Sequence, residues 1–159
     1  MCSSDLVYKL SAVRQTPDDP WSPVIKLSEQ AYKRTIPGRQ HIVRYLDEGG
    51  CPVGDVIVDD AYVSSEPAHA VDAVDPYTTY DFDGYAHEEL HEQVVADGRG
   101  TGVAWTLEES KRRCRDALMH LDPAVKRFLN QQAYPVGIEQ GLSKLRTELA
   151  HREREHSGR

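Results

Sequence analysis

Aromatic side chains are scarce in this 159-residue chain: two Phe, two Trp and eight Tyr, or 8%. Hydrophobic residues reach only 39%, enough to close one modest core but not several. No stretch approaches the roughly 18 consecutive apolar residues of a membrane-spanning helix. The start has no basic region leading into an apolar one, so no secretory signal is read there. Cysteine is nearly absent. Cys2, Cys51 and Cys114 lie far apart and form no CxxC pair, which argues against both a disulfide framework and a four-cysteine zinc site. A reduced, cytoplasmic setting is expected. Nucleophile-elbow, P-loop and dinucleotide-fold glycine motifs are missing as well.

What is present is segregated charge. Residues 1–44 carry seven Lys/Arg against four Asp/Glu, residues 45–106 one against fourteen, and residues 107–159 eleven against eight, giving the net −7. An acidic middle between basic ends lacks the continuous basic face a nucleic-acid binder needs. The basic start is still suited to a small anion.

The pattern predicts an α+β fold, strand-rich over its first two-thirds and helical at the end. Residues 7–13 alternate apolar and polar side chains, as a half-buried strand does. Thr16-Pro-Asp-Asp-Pro20 breaks them, and Val24–Leu27 is a second strand candidate that can pair with the first. Ser28 to Arg39 is irregular and ends on the turn-forming Pro37-Gly38. His41–Leu46 and Val53–Val58 flank Asp47-Glu-Gly-Gly50 and read as a hairpin. From Asp59 to Gly84 periodicity fails, which predicts an extended excursion over a surface. Asp97-Gly98, between Leu90–Ala96 and Gly102–Trp105, is the strongest short hairpin signal. Thr106-Leu-Glu-Glu109 fits a capping box and opens a helix predicted over 107–121. Asp122-Pro123 predicts a short helix to about Leu129. Ile138, Leu142, Leu145 and Leu149 share a stripe and predict a last helix over 137–155. The domain division expected is 1–6, 7–105 and 106–155. Met1-Cys-Ser-Ser-Asp-Leu6 resembles a translated short-read sequencing adapter, so 1–6 is expected to be a non-native tail and the gene to begin inside a longer one.

Two constellations carry chemistry. His87-Glu88-Glu89-Leu90-His91 satisfies H-E-x-x-H, which on a helix places two imidazoles on one face for zinc and a glutamate as general base. That reading makes a small zinc-dependent hydrolase. The flanking Asp-Gly pairs and the residues after His91 favour a strand instead. There the two imidazoles would stand roughly 13 Å apart, too far to share a metal. The second constellation is the basic run Lys26, Lys33, Arg34 and Arg39, on an irregular segment between strands where binding residues tend to sit. Taken alone, that density is better explained by solvated surface cations, since four basic residues in fourteen positions is not unusual. A standalone acidic interaction domain is the blandest reading of the whole chain.

The order of several separated motifs adds an identification. Tyr8-Lys-Leu10, Ile25-Lys-Leu-Ser28, Lys33-Arg-Thr-Ile-Pro-Gly-Arg39 and Arg44 resemble the stretch that follows the barrel in nicotinate phosphoribosyltransferases. Arg127-Phe-Leu-Asn130 and Tyr134-Pro-Val-Gly-Ile138, followed by Leu142 and Leu145, resemble that family's closing signature. The resemblance covers residues 7 to 150. Gln131 and Gln132 depart from the family's Pro-His, and Glu139 stands where a helix-capping Ser is common.

The resemblance implies a C-terminal fragment of a larger type II phosphoribosyltransferase fold, lacking the catalytic barrel and inactive alone. The whole enzyme would join nicotinate to phosphoribosyl pyrophosphate in NAD biosynthesis, coupled to ATP hydrolysis through a phosphorylated histidine outside this sequence. No tightly bound cofactor is implied. ATP and phosphoribosyl pyrophosphate, both Mg-dependent, are the expected substrates. The expected partners are the missing N-terminal and barrel parts, in a homodimer, with neither nucleic acid nor membrane. Lysines of the comparable segment in related nicotinamide enzymes reach substrate polyphosphate. The resemblance therefore makes Lys26, Lys33 and Arg39 candidate phosphate ligands.

Overall fold

A computed structural model describes residues 9–27, 35–60, 68–102 and 105–157. The centre is a six-stranded mixed sheet in the order β6 (Thr79–Asp81), β5 (His69–Asp72), β10 (Val136–Glu139), β4 (Pro52–Asp59), β3 (Gln40–Leu46), β7 (Ala86–Glu89). Its spine is the hairpin of β3 (Gln40–Leu46) and β4 (Pro52–Asp59), antiparallel from Gln40↔Asp59 to Leu46↔Pro52. Alternation dictates which side chains turn inward: Val43 and Tyr45 from β3, Val56 and Val58 from β4. Asp47 shapes the connecting turn by accepting from the backbone N–H of Gly49 (2.9 Å) and Cys51 (2.8 Å).

The stretch after Asp59 is not a plain excursion. It contributes β5 (His69–Asp72) and β6 (Thr79–Asp81), joined by a turn that Asp72 and Asp75 stabilise through side-chain bonds to nearby N–H groups. Ala68, Ala70 and Phe82 complete the core, and the Phe82 ring stacks on Tyr45 at 4.8 Å. These strands are short and Asp-rich, so a periodicity test misses them. Residues 61–67 lie outside the described set.

β10 (Val136–Glu139) inserts between β4 and β5, parallel to β4 and antiparallel to β5. This corrects the helix expected from Gly137. The helix, α2, spans Gln140–Ser157 and packs on β10 and β5. Ile138 and Leu142, placed on one helical stripe by the sequence, are both fully buried, but from a strand and a helix. Burying side chains of this size contributes about 1.5–3 kcal/mol each. Glu139 takes over the missing serine's role: its Oε2 accepts from the Leu142 N–H at 2.8 Å and caps α2.

Three side chains tie the sheet together. Arg44 on β3 forks onto Asp55 on β4 (2.8 and 2.9 Å), and the Tyr134 hydroxyl donates to the same carboxylate at 2.9 Å from the run into β10. The Asp55 bond and charge, outweighing burial, hold the Arg44 guanidinium above its ordinary pKa, and burial beside Asp55 raises the Tyr134 phenol.

The remaining elements are peripheral. β1 (Ala12–Val13) and β2 (Ser22–Pro23) pair antiparallel; β1 is the end of the predicted 7–13, of which residues 7 and 8 lie outside the described set, and β2 lies just before the predicted Val24–Leu27. β7 (Ala86–Glu89) runs along the outer edge of β3, and β8 (Val95–Ala96) and β9 (Arg99–Gly100) form a hairpin about the expected Asp97-Gly98 turn, its first strand shorter than Leu90–Ala96 and its second lying before the predicted Gly102–Trp105. Its turn residues, Asp97 and Gly98, both have positive φ (50° and 72°), as a two-residue turn of this kind requires. α1 (Leu107–His120) opens with the predicted capping box, Thr106 and Glu109 exchanging bonds. Residues 123–126 form turns rather than the predicted short helix.

Candidate functional site

The basic segment is anchored at both ends by backbone bonds. The Ser11 carbonyl accepts from the N–H of Val24 (2.9 Å) and of Gly38 (2.7 Å), so the start and finish of the segment hang from one atom. Inside that frame the Lys26 N–H donates to Thr35 Oγ1 at 2.7 Å, and Thr35 donates back to the Lys26 carbonyl at 3.4 Å. Thr35 and Pro37 are buried; Lys26 is exposed. The segment is therefore a fixed loop base with a cation at its rim. Lys33 and Arg34 lie outside the described residues.

Pro37-Gly38 makes the turn that delivers Arg39 onto the sheet. Gly38 has a φ of 92°, and a β-carbon there would stand 1.8 Å from Asp59 Oδ2. Both the backbone and the neighbouring carboxylate thus demand glycine. Arg39, half exposed, reaches Asp60 Oδ2 at 3.0 Å. Its guanidinium lies 5.7 Å from the Trp21 ring, and Arg14 lies 4.6 Å from the same ring. A cleft of about 380 Å³ opens here, lined by Trp21, Pro23, Gly38, Arg39, Asp59 and Asp60 among others. His41 extends the polar cluster, with Nδ1 3.2 Å from Asp60 and Nε2 3.5 Å from Glu89.

An indole face beside two guanidiniums suits a flat or phosphate-bearing anion. Asp60 uses one edge of Arg39 and leaves donors over, because a guanidinium carries five N–H groups in a fork. Sequence reasoning singled out Lys26 and Arg39 but missed Trp21, Arg14, His41 and Asp60. Only Trp21, an aromatic in a Pro-rich turn of an aromatic-poor chain, gave any signal.

His87-Glu88-x-x-His91 is not a helix. His87 through Glu89 lie on β7, with His87 opposite Tyr45 and Glu89 opposite Val43. The His87 ring packs 5.8 Å from Tyr45, while His91 Nδ1 faces Glu89 at 3.7 Å. The strand separates the two imidazoles, so the zinc-hydrolase reading loses the geometry it required. Among the described residues no group of three His, Cys, Asp or Glu is placed to hold a metal ion, and no helix is long and apolar enough to cross a membrane.

Comparison with known proteins supplies the family. The model of the nicotinate phosphoribosyltransferase C-terminal domain matches residues 39–146. Among solved structures, human nicotinic acid phosphoribosyltransferase has a similar fold, with a TM-score of 0.60 at 21% identity over 82% of this chain. This chain spans about a quarter (26%) of that human chain. No curated protein sequence matches significantly. The family match begins at Arg39, so Lys26 and Lys33 lie just before it. With more than half its residues inside that match, the chain belongs to the nicotinate phosphoribosyltransferase C-terminal domain family.

Proposed function

We propose that this chain is the C-terminal domain of an enzyme that joins nicotinate to phosphoribosyl pyrophosphate, with ATP, to give nicotinate mononucleotide in NAD biosynthesis. Its barrel and N-terminal parts would be supplied by a longer cytoplasmic chain, assembled as a homodimer. On this reading the domain does no bond-making itself. Its contribution is electrostatic: Lys26, Lys33 and Arg39 face the phosphates of phosphoribosyl pyrophosphate or ATP, the Mg-bound substrates, and offset charge on departing pyrophosphate.

The observation that carries the reading is the pinned loop base, in which Ser11 holds Val24 and Gly38, and Thr35 holds Lys26. A loop meant only as a connection needs no such anchoring. One that must present cations at fixed places does, because a polyphosphate is gripped best by donors that do not reorganise. Arg39 would share its guanidinium between Asp60 and the incoming anion. Assay of the isolated 159-residue chain with all three substrates tests the division of labour: no nicotinate mononucleotide is expected, and any turnover by the chain alone would overturn it.

A further inference from the structure

We infer that the Trp21 cleft is a nucleotide site. Of the two phosphate substrates named above, it takes the one that carries a flat base, the nucleoside polyphosphate ATP, and not the bare sugar phosphate. The inference rests on the proposed function and sharpens it, adding Trp21 as the residue that selects the ligand.

Three properties of the cleft carry this. The first is that its indole wall is built. Trp21 stands directly before β2, whose pairing with β1 fixes the backbone on either side of the turn (Ala12↔Pro23, Val13↔Ser22). Arg14 sets its guanidinium 4.6 Å from the centre of the ring and is itself fastened, donating to the Pro17 carbonyl at 2.6 Å. Thr16 and Asp19 close the turn between them. The Thr16 N–H donates to the Asp19 carboxylate at 2.8 Å, and the Asp19 N–H donates to the Thr16 carbonyl at 3.2 Å. Among the described residues Arg14 does not line the cleft, so it backs the ring from outside and leaves the inner face to a ligand. An aromatic face held in place by a cation behind it is a platform for a second flat ring.

The second property is the lining. Ala12, Pro20 and Pro23 continue the indole as an apolar wall around about 380 Å³, a volume in the range of small-molecule sites. Each of these contacts lies within the chain and holds whatever the rest of the enzyme covers.

The third property is charge. Arg39 shares the cleft with the carboxylates of Asp59 and Asp60. A bare polyphosphate entering there meets two negative groups and one positive one, which opposes it. An uncharged base meets no such opposition and gains the stacking surface. Its phosphates then lie at the mouth beside Arg39. That guanidinium stands 5.7 Å from the ring and gives one edge to Asp60 at 3.0 Å, which leaves N–H donors for a phosphate. A sugar phosphate without a ring gains only this last contact.

The test uses the 159-residue chain carrying W105F, so that Trp21 is its one remaining tryptophan. Trp21 fluorescence is followed during titration with ATP, adenosine, tripolyphosphate and phosphoribosyl pyrophosphate, each with magnesium. ATP should quench it saturably and bind at least about tenfold tighter than tripolyphosphate or phosphoribosyl pyrophosphate, as stacking on an aromatic side chain gives. Calorimetry then compares variants whose far-UV spectra match the parent. W21A should lose the preference for ATP over tripolyphosphate, and W21F should keep most of it. R39A should weaken ATP and leave adenosine unchanged. No binding of ATP, equal binding of ATP and tripolyphosphate, or a preference that survives W21A overturns the inference. Equal binding would still leave the phosphate reading of Arg39 standing; that reading fails separately, in the kinetics of the complete enzyme.

Discussion

Gly38 and Asp59 meet as bare α-carbon against carboxylate, and a β-carbon at position 38 would stand 1.8 Å from Asp59 Oδ2. Gly38→Ala must therefore adopt a left-handed backbone and displace a buried carboxylate. The expected loss is about 3 kcal/mol, strain and overpacking together. Gly50→Ala is the control: its φ is 76°, but nothing lies within 4 Å of the added carbon. It should lose only about 1 kcal/mol. Urea unfolding of both variants checks the difference; equal losses would remove Asp59 from the argument.

Arg44, Asp55 and Tyr134 act as one unit across β3, β4 and the entry to β10. Arg44→Ala leaves a largely buried carboxylate without its charge partner and should cost about 3 kcal/mol. Tyr134→Phe removes one hydrogen bond of three and should cost about 1 kcal/mol. The double variant should cost less than the sum, because both changes act on Asp55. Thermal or urea unfolding of the cycle reads this coupling, and strict additivity would contradict it.

The Tyr80 hydroxyl donates to Asp72 at 2.5 Å. That bond, then burial and the Asp72 charge, push the phenol from its ordinary 10.0 up to about 12. Burial works to raise Asp72, but bonds from the Asp75 N–H, the Tyr80 hydroxyl and the Val74 N–H outweigh it and hold the carboxyl below 3.8. The signs follow from linkage. A phenol raised in the folded state stabilises fully below pH 10.0, and that stability is lost as pH rises towards about 12. A lowered carboxyl stabilises above pH 3.8, and its share is lost as pH falls below that value. Tyr80→Phe should flatten the stability profile on the alkaline side and weaken its acid limb. Unfolding curves from pH 9 to 12 check it; a wild-type slope retained in the variant would assign the alkaline loss elsewhere.

Much of this fold was legible because some residues state their role locally. Alternation in His41–Leu46 and Val53–Val58 gave the central hairpin, Asp97-Gly98 the turn between β8 and β9, and Thr106 with Glu109 the start of α1. Long-range pairing was not legible. Val136–Glu139 reads as helix because Ile138 is in phase with Leu142, yet strand partners at Asp55–Ile57 and Ala70–Asp72 claim it. Those partners are distant in sequence, so no local window contains them. β5 and β6 are hidden the same way. In the candidate site, Lys26 and Arg39 stood out by charge and order of motifs. Asp60 and His41 did not, because their meaning comes from the β3–β4 register that brings them together.

The central claim is that the segment from Lys26 to Arg39 presents cations to substrate phosphate in the complete enzyme. Steady-state kinetics of that enzyme carrying Lys33→Ala or Arg39→Ala, with Asp60→Asn as the control for the Arg39 pair, tests it most directly. Each alanine variant should lower kcat/KM for phosphoribosyl pyrophosphate or ATP about ten- to a hundredfold, while Asp60→Asn, which frees Arg39, should not lower it. Unchanged kcat/KM for both substrates in both alanine variants would contradict the account.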